Sequence, residues 1–371
     1  MKLLHLSDLH LGIKICEMSM IQEQRYIFEQ IFEYLHHHPV DAVLLSGDIY
    51  DKSIPPVEAV LLFDEILQRL TEMEISVIMI SGNHDSADRL SFGAGIMKKN
   101  RIWIGTKVED AVYPVTLHDE YGAVNFYLLP FLRPVDVNNA FGQSLNSYTA
   151  AVDYMIRQMK PDTAQRNIIL SHQFVAGAGV SDSEITVGGT ESVEKTVYDP
   201  FDYVALGHLH TPQNVGSDKI RYCGTPLKYS LSEIRHQKSM SLITLMEKGH
   251  ITIDKIPLIP LHDMKKLTGT FQELTNVVLG SEDYIYVELT DEQDIPYAAQ
   301  GLRQIYPNLI SVSYKRKGTR LQTESDGVST VTEEKTPREI FEDLFSQQHP
   351  ETELTDLQRS MLTEMIDKVW G

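Results

Sequence analysis

Cysteine and long apolar runs are both scarce in this sequence of 371 residues. The two cysteines, Cys16 and Cys223, are too few for a disulfide framework, and their surroundings lack the spacing of a cysteine zinc site. No apolar run near the amino terminus is long enough for a signal peptide or a membrane span. These absences argue against a disulfide-rich secreted protein and a membrane protein, and we expect a cytoplasmic one.

Positive charge is also lacking. The formal net charge is -19 at pH 7, from 33 basic and 52 acidic residues. Proteins that hold nucleic acid over a general surface usually carry an excess of lysine and arginine, so this balance argues against that mode of binding. Bound divalent cations or a basic partner subunit would supply the missing positive charge. The sequence has no Gly-x4-Gly-Lys-Ser/Thr loop, so any dependence on ATP must come from another subunit.

What is present is the composition of a folded protein, with 42% hydrophobic and 23% charged residues. From residue 1 to about residue 258, short apolar runs alternate with helical patterns, which predicts an α/β fold. Buried strands are predicted at residues 3–7, 42–46, 77–81, 168–171 and 203–207, and covering helices at 22–38 and 57–72. Residues 101–131 and 220–257 are rich in further strand patterns and indicate a second sheet packed on the first.

The rest of the chain is expected to form smaller parts. We predict a catalytic domain over residues 1–261 and a small α+β capping domain over 262–318, with strands at 284–289 and 309–314. Residues 319–335 have the composition of a linker. A helical hairpin is predicted over 336–371, because both Thr336 and Thr355 begin helix-capping sequences that are followed by apolar stripes. The hairpin could dock on its own domain, but the linker favours docking on another protein.

Five short segments combine aspartate, histidine and asparagine at the ends of the predicted strands. Each alone is a weak signal, because a single histidine after a strand is usually structural. Together they indicate one shared site, since ligands of open α/β sheets collect at the carboxyl ends of the strands. The segments are Asp8-Leu9-His10, Gly47-Asp48-Ile49-Tyr50-Asp51, Gly82-Asn83-His84-Asp85, Ser171-His172 and Gly207-His208-Leu209-His210.

The chemistry of these residues indicates metal ions. In an extended segment residues i and i+2 point the same way, so Asp8 and His10 are expected to face one small volume. The same spacing relates His208 and His210. Imidazole with carboxylate suits manganese, iron or zinc. Seven ligands exceed what one four-coordinate ion takes, so we predict two ions, about 3.5–4 Å apart as in two-metal enzymes, bridged by Asp48.

Glycine precedes a ligand at positions 47, 82 and 207. A residue without a side chain lets the backbone approach an ion or a phosphate closely, although ordinary turns also use glycine. The loop at 177–189 follows His172 and could border a substrate groove or simply be solvated.

Taken together, the five segments resemble the calcineurin-like metallophosphoesterases. Residues 6–12, 201–213 and 222–233 are similar to those of bacterial nuclease subunits of this family, and the strong motifs cover residues 1 to about 235. The resemblance implies two packed mixed β-sheets flanked by helices in four layers, with the capping domain and the helical tail appended.

The resemblance also implies a role for each residue of the site. The implied metal ligands are Asp8, His10, Asp48 and His210 for one ion and Asp48, Asn83, His172 and His208 for the other. His84 would be the catalytic group, stabilising the transition state or protonating the leaving oxygen. Asp51 would pair with His84 and orient it, although archaeal and eukaryotic relatives tend to have histidine at that position.

The function implied is that of a manganese-dependent DNA exonuclease and endonuclease, which processes hairpin or double-strand ends in repair and recombination. The implied partners are DNA, an SMC-type ATPase bound through the C-terminal helices, and a second copy of the chain within a heterotetramer. The alternative is a stand-alone phosphatase or phosphodiesterase for a small molecule or phosphoprotein, which has little use for a tethered apolar tail. A non-catalytic scaffold is disfavoured because no ligand segment is broken.

Overall fold

The structure is a computed structural model that describes residues 1–179, 192–277 and 280–315, together with seven residues nearer the C-terminus. The chain divides into two compact units, Met1–Arg316 and Lys317–Gly371. Most of the loop at 177–189 and the whole predicted linker at 319–335 lie outside the described residues.

The first unit contains strands of two to eight residues. They are β1 Lys2–Leu6, β2 Lys14–Ile15, β3 Met18–Ser19, β4 Ala42–Ser46, β5 Ser76–Ile80, β6 Ile102–Gly105, β7 Val115–Asp119, β8 Gly122–Leu129, β9 Arg166–His172, β10 Tyr203–Gly207, β11 Gln213–Val215, β12 Ser217–Tyr222, β13 Ser239–Leu245, β14 Ile251–Pro257, β15 Met264–Gly269, β16 Tyr284–Leu289 and β17 Leu309–Tyr314.

Helices lie between these strands. They are α1 Ile21–His37, α2 Val57–Glu72, α3 Ala87–Leu90, α4 Ala94–Met97, α5 Pro134–Phe141, α6 Tyr148–Met159, α7 Phe271–Thr275 and α8 Ala298–Arg303. The predictions for β4, β10, α2, β16 and β17 are confirmed at both ends, and β1, β5 and α1 are displaced by one residue. Among the described helices of the chain, none is both long and apolar enough to cross a membrane.

Two six-stranded sheets form the body of the first unit. In the first, β1, β4, β5 and β6 run parallel. Beyond β1 the sheet continues with β13, which is antiparallel to β1, and then β14, which is antiparallel to β13. In the second, β12, β10, β9 and β8 run parallel, with β11 and β7 antiparallel at the edges. Both sheets are therefore mixed, as predicted.

The expected division of strands between the sheets was partly wrong. Residues 220–257 were assigned to the second sheet, but β13 and β14 within them join the first. The pairing of Leu3 with Ile243 links strands about 240 residues apart in the chain. Local sequence patterns carry no information about such distant pairing, so only the existence of these strands could be predicted.

The sheets pack face to face between two layers of helices. Side chains such as Leu44 and Leu170 from facing strands fill the space between the sheets. The outer face of the first sheet packs against α1 and α2, where Ile27 and Ile66 are buried, and the outer face of the second packs against α6 through Met155. The fold has the four layers that the resemblance implies, with helix, sheet, sheet and helix in succession.

A third sheet follows near the end of the first unit. Strands β15, β16 and β17 run parallel, with α7 and α8 as the connections. One face has its own core, which includes Val287 and Leu302. Met264 and Tyr284 instead join the core around α1. The domain boundary at 261/262 stays a prediction.

Few residues of the second unit are described. Phe341, Phe345, Gln358, Arg359, Met361 and Leu362 are helical. Gln358 N donates to Thr355 Oγ1 at 3.4 Å and Thr355 N donates to Gln358 Oε1 at 2.9 Å, so the predicted capping box is present. The remainder of the predicted hairpin over 336–371 lies outside the described residues.

Candidate metal centre

The proposed ligands follow the carboxyl ends of parallel strands in both sheets. Asp8 and His10 come after β1, Asp48 after β4, and Asn83 after β5. The ligands from the second sheet are His172, which ends β9, and His208 and His210, which follow β10. All seven lie in one cluster, because the face-to-face packing brings the ends of both sheets to the same side.

Three glycines make this convergence possible. A Cβ on Gly47 or on Gly207 would overlap the His172 ring, and a Cβ on Gly82 would overlap Asp48. Gly47 also has a φ of +90°, which favours glycine. The role predicted for these glycines, close approach of backbone to the site, is the one that the structure shows.

The expected extended geometry of the ligand pairs is wrong. Asp8 and His10 have φ values of 52° and 44°, and His208 has 102°, so these residues turn rather than continue their strands. The turn is held by contacts across the strand ends: Asp8 N donates to the Gly47 carbonyl at 3.0 Å, and His208 N donates to Asp8 Oδ1 at 2.8 Å. These contacts, within and between the sheets, override the local preference for an extended backbone.

One group of ligand atoms lies around Asn83. Its Oδ1 is 3.1 Å from His172 Nε2 and 3.1 Å from His208 Nδ1. His172 Nε2 lies 3.2 Å from Asp48 Oδ2, and His172 Nδ1 donates to the Ser46 carbonyl at 2.7 Å. Because Nδ1 is the donor in this last bond, Nε2 is the nitrogen of His172 that faces the cluster.

A second group lies around His10. Its Nε2 is 3.2 Å from His210 Nε2 and 3.7 Å from Asp48 Oδ2. Two sets of three potential ligands fall within 4.8 Å, one with His10, Asp48 and His84 and the other with Asp8, Asp48 and His172. Asp48 belongs to both sets, as a bridging carboxylate would.

Both aspartates are buried, with exposed fractions of 0% for Asp8 and 2% for Asp48. Burial raises the pKa of Asp8 to about 6. Burial also opposes ionisation of Asp48, but the neighbouring His172 outweighs it and holds the pKa of Asp48 well below its usual range. Buried carboxylates need a compensating positive charge.

The histidines divide into two kinds. Burial lowers the pKa of His10 and of His208 to about 3, so both are neutral at pH 7 with lone pairs available to a cation. Burial acts in the same direction on His172, but the attraction of Asp48 raises its pKa to about 9. The negative potential that holds a proton there would equally hold a divalent cation.

These residues fit divalent cations. Within the described part of the chain, the buried Oδ2 atom of Asp8 has no hydrogen-bond partner, although it is an acceptor beside the cluster. The donor set is imidazole nitrogen with carboxylate and amide oxygen, and it suits manganese, iron or zinc.

His84 is exposed at the edge of the cluster, with its ring centroid 4.8 Å from that of His10. The expected pairing of His84 with the Asp51 carboxylate needs correction. His84 Nδ1 donates to the backbone carbonyl of Asp51 at 2.8 Å, whereas the Asp51 carboxylate lies 3.9 Å from His10 Nδ1. The loop after Asp48 places the Asp51 carbonyl next to His84 and turns the Asp51 side chain towards His10.

Several residues near the cluster had no role in the prediction. Asp85 is one of them, and its carboxylate accepts hydrogen bonds from the backbone of Ile49, Tyr50 and Gly82, which joins two ligand loops. Phe131 stacks near His208, with ring centroids 6.3 Å apart. The only sequence signal for Asp85 was its place in the Gly-Asn-His-Asp segment.

Glu233 and Lys238 were also missed. Glu233 Oε1 lies 3.3 Å from His210 Nδ1, and Oε2 accepts a hydrogen bond from Lys238 Nζ at 2.6 Å. Burial opposes ionisation of Glu233, but the His210 hydrogen bond and the Lys238 charge outweigh it and lower its pKa to about 2. Glu233 lies within residues 222–233, whose only sequence signal was their part in the resemblance.

Comparison with known proteins agrees with this geometry. Residues 1–212 match the calcineurin-like phosphoesterase family. The sequence is 32% identical over 322 residues to the SbcD subunit of the nuclease SbcCD from Staphylococcus epidermidis, covering 84% of this chain and 85% of that protein. The chain belongs to the calcineurin-like phosphoesterase family, in the SbcD group. As a calcineurin-like phosphoesterase it is a member of a family that uses divalent metal ions, and the cluster around Asp48 is where they would bind.

The C-terminal part has its own match. Residues 260–349 of this phosphoesterase match the family described as type 5 capsule protein repressor C-terminal domain. Two solved structures are similar at low level. TT1561 of Thermus thermophilus has a TM-score of 0.40 and 12% identity, covering 68% of this chain and 98% of that one. An archaeal phosphodiesterase has a TM-score of 0.33 and 10% identity, covering 69% and 100%. These scores are too low to support a conclusion.

Proposed function

We propose that the chain is the metal-dependent nuclease subunit of an SbcCD complex and hydrolyses phosphodiester bonds in DNA. The observation that carries the proposal is the cluster of side-chain nitrogen and oxygen atoms that the seven proposed ligands form around Asp48, in a chain related over 84% of its length to the SbcD subunit of a nuclease. Exonuclease and endonuclease cleavage at hairpin and double-strand ends, in DNA repair and recombination, is part of the proposal.

The proposed centre holds two divalent cations, with manganese as the expected metal. Asp8, His10, Asp48 and His210 would hold one ion, and Asp48, Asn83, His172 and His208 the other. Support comes from the 3.2 Å approach of His10 to His210 and the 3.1 Å contacts of Asn83 with His172 and His208. The cations would supply charge neutralisation of the phosphodiester and a lowered pKa for water.

In this proposal, His84 acts on the substrate directly. Its Nδ1 is fixed by the Asp51 carbonyl, so Nε2 is the nitrogen left for the phosphate or the leaving oxygen. An imidazolium there would stabilise negative charge in the transition state and could donate a proton to the leaving oxygen. Asp51 would support His84 through its backbone, and its carboxylate would act on His10.

The proposed partners supply what the chain lacks. An SbcC-type ATPase would bind the helices predicted at 336–371 and bring both the ATP site and basic surface to a chain of net charge -19. A cytoplasmic location fits this role and the two free cysteines, of which Cys16 is exposed and Cys223 is buried.

We also propose that two copies of the chain associate in the complex. Large apolar side chains are unusually exposed on α2, where Val57 is 75% and Leu61 62% exposed, and around α4, where Phe92 is 83% and Ile96 71% exposed. Val57 and Leu61 are four residues apart within α2 and so lie on one side of that helix. Exposed apolar side chains of this kind commonly mark protein interfaces.

The test uses the full chain with manganese, with and without an SbcC-type ATPase and ATP. The substrates are linear duplex DNA, a DNA hairpin, single-stranded DNA and bis(4-nitrophenyl) phosphate. We expect DNA cleavage that the ATPase stimulates, and its loss in His84→Ala. Turnover of the small ester without any DNA cleavage, even with the ATPase and ATP present, would reject the nuclease function and favour the stand-alone phosphodiesterase.

A further inference from the structure

Glu233 is a buried carboxylate that contacts the metal centre from outside the proposed ligand set. It lies in the short 3-10 helix Leu231–Arg235, and none of its surface is exposed. Its Oε1 lies 3.3 Å from Nδ1 of His210, while Nε2 of the same ring lies 3.2 Å from His10 Nε2. Glu233 therefore faces the outer nitrogen of His210, and the inner nitrogen faces the centre.

Lys238 holds the same histidine from another direction. Its Nζ donates to Glu233 Oε2 at 2.6 Å, to Thr225 Oγ1 at 2.6 Å and to the His210 carbonyl at 2.8 Å. These bonds use all three protons of the ammonium group. The lysine also compensates the charge of a fully buried carboxylate, which would otherwise be costly. Glu233 and Lys238 together hold both the ring and the backbone of His210.

The two groups of proposed ligands differ in the acceptor that faces the outer nitrogen of a histidine. The outer nitrogen of His172 donates to a neutral backbone carbonyl, that of Ser46. The outer nitrogen of His210 faces an ionised carboxylate, which is the stronger acceptor. A carboxylate behind a metal-binding histidine fixes its tautomer and ring orientation and makes it a better ligand. The group around His10 and His210 should therefore depend on Glu233, whereas the group around Asn83 should not.

We propose that Glu233, charge-balanced by Lys238, is a positioning residue that fixes the tautomer and orientation of His210 and strengthens one of the two cation sites. This inference rests on the proposed function and its two cations. Its effect is on cation affinity at the site of His10 and His210, because Glu233 contacts the His210 ring directly and the His210 backbone through Lys238.

The test measures manganese binding to the full chain by titration calorimetry and by the electron paramagnetic resonance of free Mn²⁺. In Glu233→Gln we expect one of the two binding events to weaken by about 10–100-fold and the other to keep its affinity. The manganese concentration for half-maximal turnover of bis(4-nitrophenyl) phosphate should rise by the same factor, and turnover at saturating manganese should return to that of the wild type.

A matched control is available in the same chain. Glu247 Oε1 also lies 3.3 Å from a histidine, Nδ1 of His250, but this pair is largely exposed and belongs to the turn between β13 and β14. Glu247→Gln should leave both manganese affinities unchanged. Because Glu233→Gln leaves Lys238 buried without its counter-ion, a double variant of Glu233→Gln with Lys238→Met removes both charges and tests the same contact in a neutral background.

The outcomes separate the inference from the proposed function. Weakening of one manganese site both in Glu233→Gln and in the double variant, with no change in Glu247→Gln, supports the positioning role. Wild-type affinity for both ions in either folded variant overturns it. A wild-type chain that binds fewer than two manganese ions would instead count against the proposed two-cation centre itself.

Discussion

Four residues of the candidate metal centre, Asp8, His10, Asp48 and His208, have positive φ values, between 44° and 102°. Such conformations cost on the order of 1–3 kcal/mol each and persist only where the surroundings fix them. Here they are fixed by hydrogen bonds between loops, such as His10 N to the Asp48 carbonyl at 3.0 Å. The strain is concentrated where the ligands must leave their strands and turn into one volume.

Gly82→Ala tests how closely the backbone must approach the ligands. Because a Cβ at this position would overlap Asp48, the substitution should displace that carboxylate and weaken the binding of both proposed cations. Calorimetric titration with manganese measures this. In contrast, Gly95 has open space around its Cβ position, so Gly95→Ala should keep both affinities. Unchanged binding in Gly82→Ala would show that Asp48 is not held at that contact.

Asp51→Asn and His84→Gln together test the corrected contact between residues 51 and 84. The Asp51 carbonyl survives in Asp51→Asn, so His84 should keep its support and turnover should fall by less than His84→Gln lowers it. His84→Gln removes the imidazole and should lower turnover by about 10²–10⁴-fold while manganese still binds. Equal losses in the two variants would indicate that the Asp51 carboxylate acts on His84 after all.

At this scale the sequence predicted which residues cluster better than it predicted their geometry. The types and positions of the clustered residues were visible because each lies at or just after the end of an apolar strand. The conformation of Asp8 and His10 was not, because it depends on contacts with Gly47 and Asp48, which follow a different strand. Glu233 was invisible as a contributor for the same reason.

At the scale of elements, many strands and helices were predictable from a continuous apolar run or from a regular apolar stripe. Strand β4 is buried at every residue and α2 buries one regular stripe, and both were predicted at both ends. Sheet membership was not predictable, because β13 could pair with either sheet until the fold placed it beside β1. Ion pairs that join elements are likewise outside the reach of local patterns.

The Asp119–Arg166 pair is such an element-joining contact. It links the end of β7 to the start of β9, and both side chains are nearly buried, with 12% and 3% exposed. The hydrogen bonds from Arg166 lower the pKa of Asp119, whereas burial raises it. The hydrogen bonds have the larger effect, so the pKa of Asp119 stays well below its usual range. Asp119→Ala should therefore lower the free energy of unfolding at pH 7 by about 3–5 kcal/mol.

The sign of the pH dependence follows from the lowered pKa. Since Asp119 is more acidic in the folded state, its contribution is full above the unfolded pKa of about 3.9 and is lost as pH falls below it. The difference between Asp119→Ala and wild type in urea unfolding should thus be constant from about pH 5 to 7 and shrink near pH 3. The exposed Asp153–Arg157 pair is the control, since Asp153→Ala should change stability by less than about 1 kcal/mol.

At the scale of the whole molecule, the four layers place two sets of strand ends on one side, which is why the seven proposed ligands, from two sheets, can meet. The sequence predicted the two packed sheets and the small third sheet. The sequence could not show that apolar side chains on α2 and around α4 would be exposed, because a local pattern does not distinguish an interface from a core face before the fold is known.

Association of two copies is tested by Leu61→Glu. The side chain is 62% exposed, so a charge there should not affect folding but should disrupt an apolar interface. We expect wild type to sediment as a dimer and Leu61→Glu as a monomer with unchanged circular dichroism. An exposed position elsewhere, in Tyr121→Glu, should leave the dimer intact. If wild type and Leu61→Glu sediment alike, this surface is not the interface.

The central claim is that Asp48 bridges two cations held by ligands from both sheets. Crystals grown with manganese, with diffraction recorded at the manganese absorption edge, test it most directly. We expect two anomalous peaks about 3.5–4 Å apart, with the Asp48 carboxylate between them, His10 and His210 beside one and Asn83, His172 and His208 beside the other. A single peak, or two peaks that do not share Asp48, would contradict the account.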